Sequence, residues 1–182
     1  MTRALAVASL VMAACGAQVT GDDSIDNQLT DAANPDALVA PPDAPPDARP
    51  CAGGDNRATD ATGTCFLYFA SAKTRANAEA DCIAHGAHLA KILSAEQNAV
   101  VRSITGGTVA FLGATDAVAE GTFLWPDNTP LTYTNYRAGE PNNGSGQYQE
   151  DCLVIEAAGT WDDRPCAPPP VNSGSYAYVC GY

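Results

Sequence analysis

The sequence predicts an α+β domain spanning residues 51–182. Three observations lead there. Two helix signatures with recognisable caps come first, and short apolar or aromatic runs bounded by turn residues follow. A long stretch rich in Gly, Pro, Asn and Asp separates those runs. Cys51, Cys65, Cys82, Cys152, Cys166 and Cys180 all fall in this region, with no Cys-x-x-Cys spacing among them. That usage suits disulfides formed in an oxidising compartment better than a metal–thiolate site.

The elements follow in order. Cys65-Phe66-Leu67-Tyr68-Phe69 is apolar and aromatic and reads as a strand. Thr74 can cap a helix that reaches His85, in which Ala76, Ala80 and Ile83 recur near helical spacing and Gly86 suits the C-terminal stop. Ser94-Ala95-Glu96-Gln97 matches a capping box and opens a second helix toward Ile104, which Gly106-Gly107 ends. Val109-Ala110-Phe111-Leu112 reads as a strand, and residues 113–150 as the loop-rich region. Cys152-Leu153-Val154-Ile155, a segment containing Trp161, and Tyr176-Ala177-Tyr178-Val179 are further strands.

The chain ahead of residue 51 is different material. Residues 1–15 read as an export signal: Arg3 supplies the positive charge, and residues 4–14 are apolar but too short to cross a bilayer. Met12-Ala13-Ala14-Cys15 resembles a bacterial lipobox, in which the cysteine is lipidated and becomes the mature N-terminus. This reading accounts for the seventh cysteine, with ordinary signal cleavage nearby as the alternative. Residues 16–50 carry seven Asp against one Arg and no aromatic residue, and read as a disordered Ala/Asp/Pro-rich linker. The expectation is an exported lipoprotein at the cell surface or in the periplasm, touching the membrane through a lipid on Cys15 only. A net charge of -12 argues against nucleic acid as a partner. The absence of a nucleophile–base pattern, phosphate loop or zinc motif argues against an enzyme.

Within residues 51–182 several motifs occur in a fixed order: Gly86-Ala87-His88-Leu89-Ala90-Lys91-Ile92, Phe111-Leu112-Gly113, Glu120-Gly121-Thr122-Phe123-Leu124-Trp125, and Pro130-Leu131-Thr132-Tyr133-Thr134-Asn135-Tyr136. Gly139-Glu140-Pro141-Asn142-Asn143 comes next, then Cys152 through Trp161-Asp162-Asp163 to Cys166. Together they resemble the C-type lectin-like family. The resemblance implies two helices, two small antiparallel sheets, a long calcium-binding loop, and the bridges Cys51–Cys65, Cys82–Cys180 and Cys152–Cys166. Spacing alone leaves the pairing open. Arg75 stands where the family often has Trp, and Asp162 where it usually has Asn.

Calcium takes about six to eight oxygen ligands. Glu140-Pro141-Asn142 offers two side-chain oxygens around one proline, and a cis bond before Pro141 would turn both toward one ion. The resemblance implies a principal calcium set of Glu140, Asn142, Glu150, Asp162 and Asp163, with Gln149 the nearest competitor for Glu150. It also implies an auxiliary metal set of Asp116, Glu120, Asn143 and Asp151, in which Asn143 stands where Asp is common. A sugar would bind directly to the ion and contact Glu140, Asn142, Glu150 and Asp162, with Tyr148 as a loop aromatic beside it. The Glu-Pro-Asn triplet resembles the version associated with mannose-type sugars. The expected function is therefore calcium-dependent binding of a glycoconjugate or polysaccharide. The alternative is the same fold binding a protein partner, with calcium structural only, because ionised Asp162 offers no N–H donor. Trp125 and Trp161 are assigned to the core. His85 and His88 lie near a helix end with no partner motif.

Overall fold

The computed structural model describes residues 50–146, 149–166 and 174–182. The export signal with Cys15, the linker up to residue 49, and Tyr148 lie outside the described residues. In chain order the elements are β1 (Asn56–Thr59), β2 (Cys65–Lys73), α1 (Arg75–Ala84), β3 (His88–Leu89), α2 (Ala95–Thr105), β4 (Ala110–Thr115), β5 (Cys152–Ile155), β6 (Trp161–Arg164) and β7 (Tyr176–Gly181), with a short 3-10 turn at Asn143–Gly146.

The helix ends form for the reasons their sequences suggest. The Thr74 hydroxyl accepts from the Asn77 amide at 3.4 Å, and the Ser94 hydroxyl from that of Gln97 at 3.2 Å. The Gln97 side chain reaches back one residue beyond the cap and accepts from the Leu93 N–H at 2.7 Å. Gly106 ends α2 in the left-handed conformation, φ 59°, where a β-carbon would be strained.

The strands lie in the order β1-β2-β7-β4-β5-β6, with β3 also beside β7. Where two small antiparallel sheets were expected, one hydrogen-bonded path is found. Strand β7 makes the join. It pairs antiparallel with β2 and with β3, and pairs parallel with β4 through Ala177 and Tyr178. A parallel pair links segments far apart in sequence, so no local pattern announces it.

Alternation along the strands divides the core in two. Phe66, Tyr68, Leu153, Ile155 and Val179 join Val101 and Ile104 of α2 in one cluster. Leu67, Val154, Tyr178 and Cys180 join Ala78 and Cys82 of α1 in the other. Strand β5 is buried throughout, which explains why it reads as an unbroken apolar run. The bridges Cys51–Cys65, Cys82–Cys180 and Cys152–Cys166 are all formed. Cys82–Cys180 ties α1 to β7 across 98 residues of sequence, so it removes the most freedom from the unfolded chain. Arg75 uses its half-buried guanidinium as a donor to the Gly113 carbonyl at 2.7 Å. Gly113 itself is required by close packing: a β-carbon there would lie 2.5 Å from the Leu89 oxygen.

Candidate metal and sugar site

Strand β6 carries the base of the site. Trp161 is fully buried and donates its indole N–H to Asn98 Oδ1 at 2.7 Å, which pins the start of the strand to α2. The segment 135–137 runs beside it: Trp161 N–H donates to the Asn135 carbonyl, and Arg137 N–H to the Trp161 carbonyl, both at 2.8 Å. The Glu140 N–H then returns to the Arg137 carbonyl at 3.0 Å, closing a turn that brings Glu140 back over β6.

The peptide bond from Glu140 to Pro141 is cis, as the sequence reading anticipated. Carboxylate oxygens of Glu140, Asp162 and Asp163 all lie within 4.8 Å of one another. Asp163 holds the loop down, accepting from the Asn142 N–H at 3.1 Å and the Asn143 N–H at 2.6 Å. The Asn142 side-chain amide donates to Glu140 Oε2. Burial pushes the Glu140 carboxyl above its ordinary value, and the Asp162 charge adds to this against the opposing Arg137. Asp162 is raised too, chiefly by burial, with Arg164 and Arg137 opposing.

The other expected ligands are distributed around this trio. Glu150 is outside it, its carboxyl close over Gly144, where a β-carbon would come within 3.3 Å. Its pKa is raised, first by burial. Asn143 bridges the loops: its amide nitrogen donates to Glu120 at 2.6 Å, and its oxygen accepts from the Glu150 N–H at 2.8 Å. Asp116 is buried, with one oxygen accepting from the Gly121 N–H at 2.8 Å. Its other oxygen is buried without a hydrogen-bond partner among the described residues. Burial raises the Asp116 pKa, and the charges of Asp151 and Asp163 reinforce it. The Asp151 carbonyl accepts from the Asp116 N–H at 3.2 Å, which joins these two of the proposed auxiliary residues through their backbones.

Three residues not named from sequence complete the picture. Arg137 Nη2 lies 2.7 Å from Glu140 Oε1 and 3.2 Å from Asp162 Oδ2, while its Nε lies 3.3 Å from Glu156. Arg164 Nη2 lies 2.6 Å from Asp162 Oδ2 and 3.3 Å from Glu156. Asp162 and Arg164 are two apart on an extended strand and so share a face. That spacing, and the three-residue step from Arg137 to Glu140, were the available signals.

The donor set fits a hard divalent cation. It consists of oxygens only, three carboxylates converge, and the buried orphan oxygen of Asp116 marks a second place where a positive charge would be welcome. No sulfur or imidazole competes within the trio, which would favour a softer metal.

A profile of the family described as "Lectin C-type domain" matches residues 71–181. Among curated relatives, the versican core protein of Rattus norvegicus is 38% identical over 108 residues, covering 57% of this chain but only 4% of that protein. The type-2 ice-structuring protein of Hemitripterus americanus is 30% identical over 164 residues, covering 89% of this chain and 92% of its own. The alpha-N-acetylgalactosamine-specific lectin of Patiria pectinifera is 34% identical over 135 residues, covering 65% and 73%. Among solved structures, the carbohydrate-recognition domain of cow CD23, determined in the presence of a GlcNAc2Man3 oligosaccharide, superposes with TM-score 0.58 at 30% identity, covering 65% of this chain and 87% of that one. A calcium-independent type II antifreeze protein superposes with TM-score 0.60 at 28% identity, covering 72% and 94%.

Proposed function

Because the chain belongs to the C-type lectin domain family, a family of binding domains rather than enzymes, we propose that it is a calcium-dependent carbohydrate-binding module. The convergence of Glu140, Asp162 and Asp163 oxygens carries this reading. Glu140, Asn142, Glu150, Asp162 and Asp163 would hold one calcium ion, and Asp116, Glu120, Asn143 and Asp151 a second. The ion would supply open coordination positions for two sugar hydroxyls. Glu140, Asn142, Glu150 and Asp162, with Tyr148, would supply the surrounding hydrogen bonds. The Glu-Pro-Asn triplet supports mannose-type sugars, and the oligosaccharide named with the cow CD23 structure supports a glycan ligand in general. The lipobox-like sequence at Cys15 supports a lipid anchor that holds the module at a membrane surface.

A second reading has one observation behind it. Asp162 has no N–H to give a sugar, and its Oδ2 is engaged by two arginines, which favours a protein partner with calcium structural only. A glycan array read with calcium and with chelator separates the two. Glycan signal abolished by chelation supports the lectin; capture of a protein without any glycan signal supports the alternative.

A further inference from the structure

We propose that Arg137 is a built-in counter-ion that competes with the divalent cation for Glu140 and Asp162, and so sets the calcium concentration at which the site fills. The inference rests on the calcium reading above and goes beyond it.

The observations are geometric. Glu140, Asp162 and Glu156 crowd together, and Arg137 touches all three with a single guanidinium. Its side chain is 49% exposed, whereas those of Glu140 and Asp162 are 6% and 3% exposed. The arginine therefore reaches in from solvent and lies against carboxylates that are themselves little exposed. Among the described residues, the carboxylates that Arg137 pairs with include two of the three in the converging trio. A divalent ion approaching those oxygens must either displace the guanidinium or accept a like charge beside it. Both routes weaken binding.

Arg137 is not needed to keep the ligands in place. Asp162 remains held by Arg164 at 2.6 Å, Glu140 by the Asn142 amide, and Asp163 by two backbone N–H groups. The Arg137 backbone carries the pairing with Trp161, which a side-chain change leaves intact. Its removal thus takes away a charge without unmooring the site. The same contact explains how neighbouring carboxylates coexist before the metal arrives, since their mutual repulsion is partly cancelled.

The test is calorimetric titration of the full chain with calcium chloride alone, for the wild type, Arg137→Gln and Arg137→Lys. Loss of a unit charge one side chain away from a divalent ion should tighten calcium binding by about three- to tenfold at low salt, and less at high salt. Lysine keeps the charge and should stay within about twofold of the wild type. Thermal melts in chelator should place Arg137→Gln below the wild type, and saturating calcium should remove the gap. If the wild type binds calcium and Arg137→Gln binds it equally or more weakly, the counter-ion role is overturned while the calcium reading stands. If the wild type binds no calcium, both fall together.

Discussion

Replacing Asp162 by Asn introduces the residue that the family resemblance leads one to expect there, and the structure determines what that does to stability. Two opposing effects must be weighed. Removing one partner of a buried ion pair typically costs about 3–5 kcal/mol, because the other charge is left uncompensated. Here that penalty does not arise in full. Arg164 keeps Glu156 at 3.3 Å, and Arg137 keeps Glu140 at 2.7 Å and Glu156 at 3.3 Å. Both arginines are also more than a third exposed, so each lost contact is worth at most about 1 kcal/mol. Against this stands relief of a buried charge. Burial raises the Asp162 pKa despite both arginines, so the ionised side chain is less favourable in the folded, metal-free protein than in the unfolded chain.

The sign follows by linkage. A raised folded value means that ionised Asp162 costs stability above that value, and the cost vanishes as pH falls below the ordinary carboxylate range. Asp162→Asn should therefore change stability by between zero and a gain of about 1 kcal/mol at neutral pH in chelator. It should make no difference in acid. Urea unfolding at neutral and acid pH measures both. A loss of about 3 kcal/mol at neutral pH would refute the reasoning and show that the arginine pairs dominate. At saturating calcium the new amide N–H should also strengthen glycan binding by roughly two- to tenfold, the worth of one net hydrogen bond.

Two further outcomes follow from the site. Asp163→Asn puts an amide nitrogen where an oxygen accepts from Asn142 and Asn143, so it should loosen the loop and lower calcium affinity by at least about a hundredfold, read by titration. Affinity unchanged within about twofold would remove Asp163 from the ligand set. Burial raises the carboxyls of Asp116, Glu140, Glu150 and Asp162, and calcium needs them ionised. Calcium affinity should therefore fall as pH drops from neutral toward the ordinary carboxylate range, and begin to fall above that range, with protons released on binding; calorimetric heats independent of the buffer's ionisation enthalpy would contradict this.

The helices were legible because their ends are written locally. Thr74, Ser94 and Gly106 each do at the terminus what their side chain, or its absence, dictates. Strand β1 was not legible, since Asn-Arg-Ala-Thr is polar and mostly exposed and shows no alternation. Strand β3 is two residues long and exists only because β7 offers it an edge. The three converging carboxylates were legible through the motifs that carry the family resemblance. Arg137, Arg164 and Glu156 were not, because surface arginines and glutamates are common in any loop; the β5–β6 hairpin brings Glu156 to Arg164, and only the pairing of segment 135–137 with β6 delivers Arg137 to them.

That pairing also shows why position 162 should not be read alone. An aspartate there adds charge to a crowded loop, but β6 places Arg164 on the same face and the neighbouring segment delivers Arg137 to the same oxygen. On the proposed function, a calcium ion and a sugar would make opposite demands. Asp162→Asn removes a negative charge from the ion while giving the sugar a donor, so it should weaken calcium as it strengthens glycan binding. Adding Arg137→Gln removes the positive charge that the aspartate was balancing. The double variant should therefore keep the glycan gain but recover only part of the calcium affinity, with Arg137→Gln tightening calcium less in the Asp162→Asn background than in the wild type, a coupling expected of side chains sharing one network. Strictly additive effects on calcium, with Arg137→Gln tightening it equally in both backgrounds, would mean that Arg137 acts on the ion through Glu140 alone and that Asp162 answers only to Arg164.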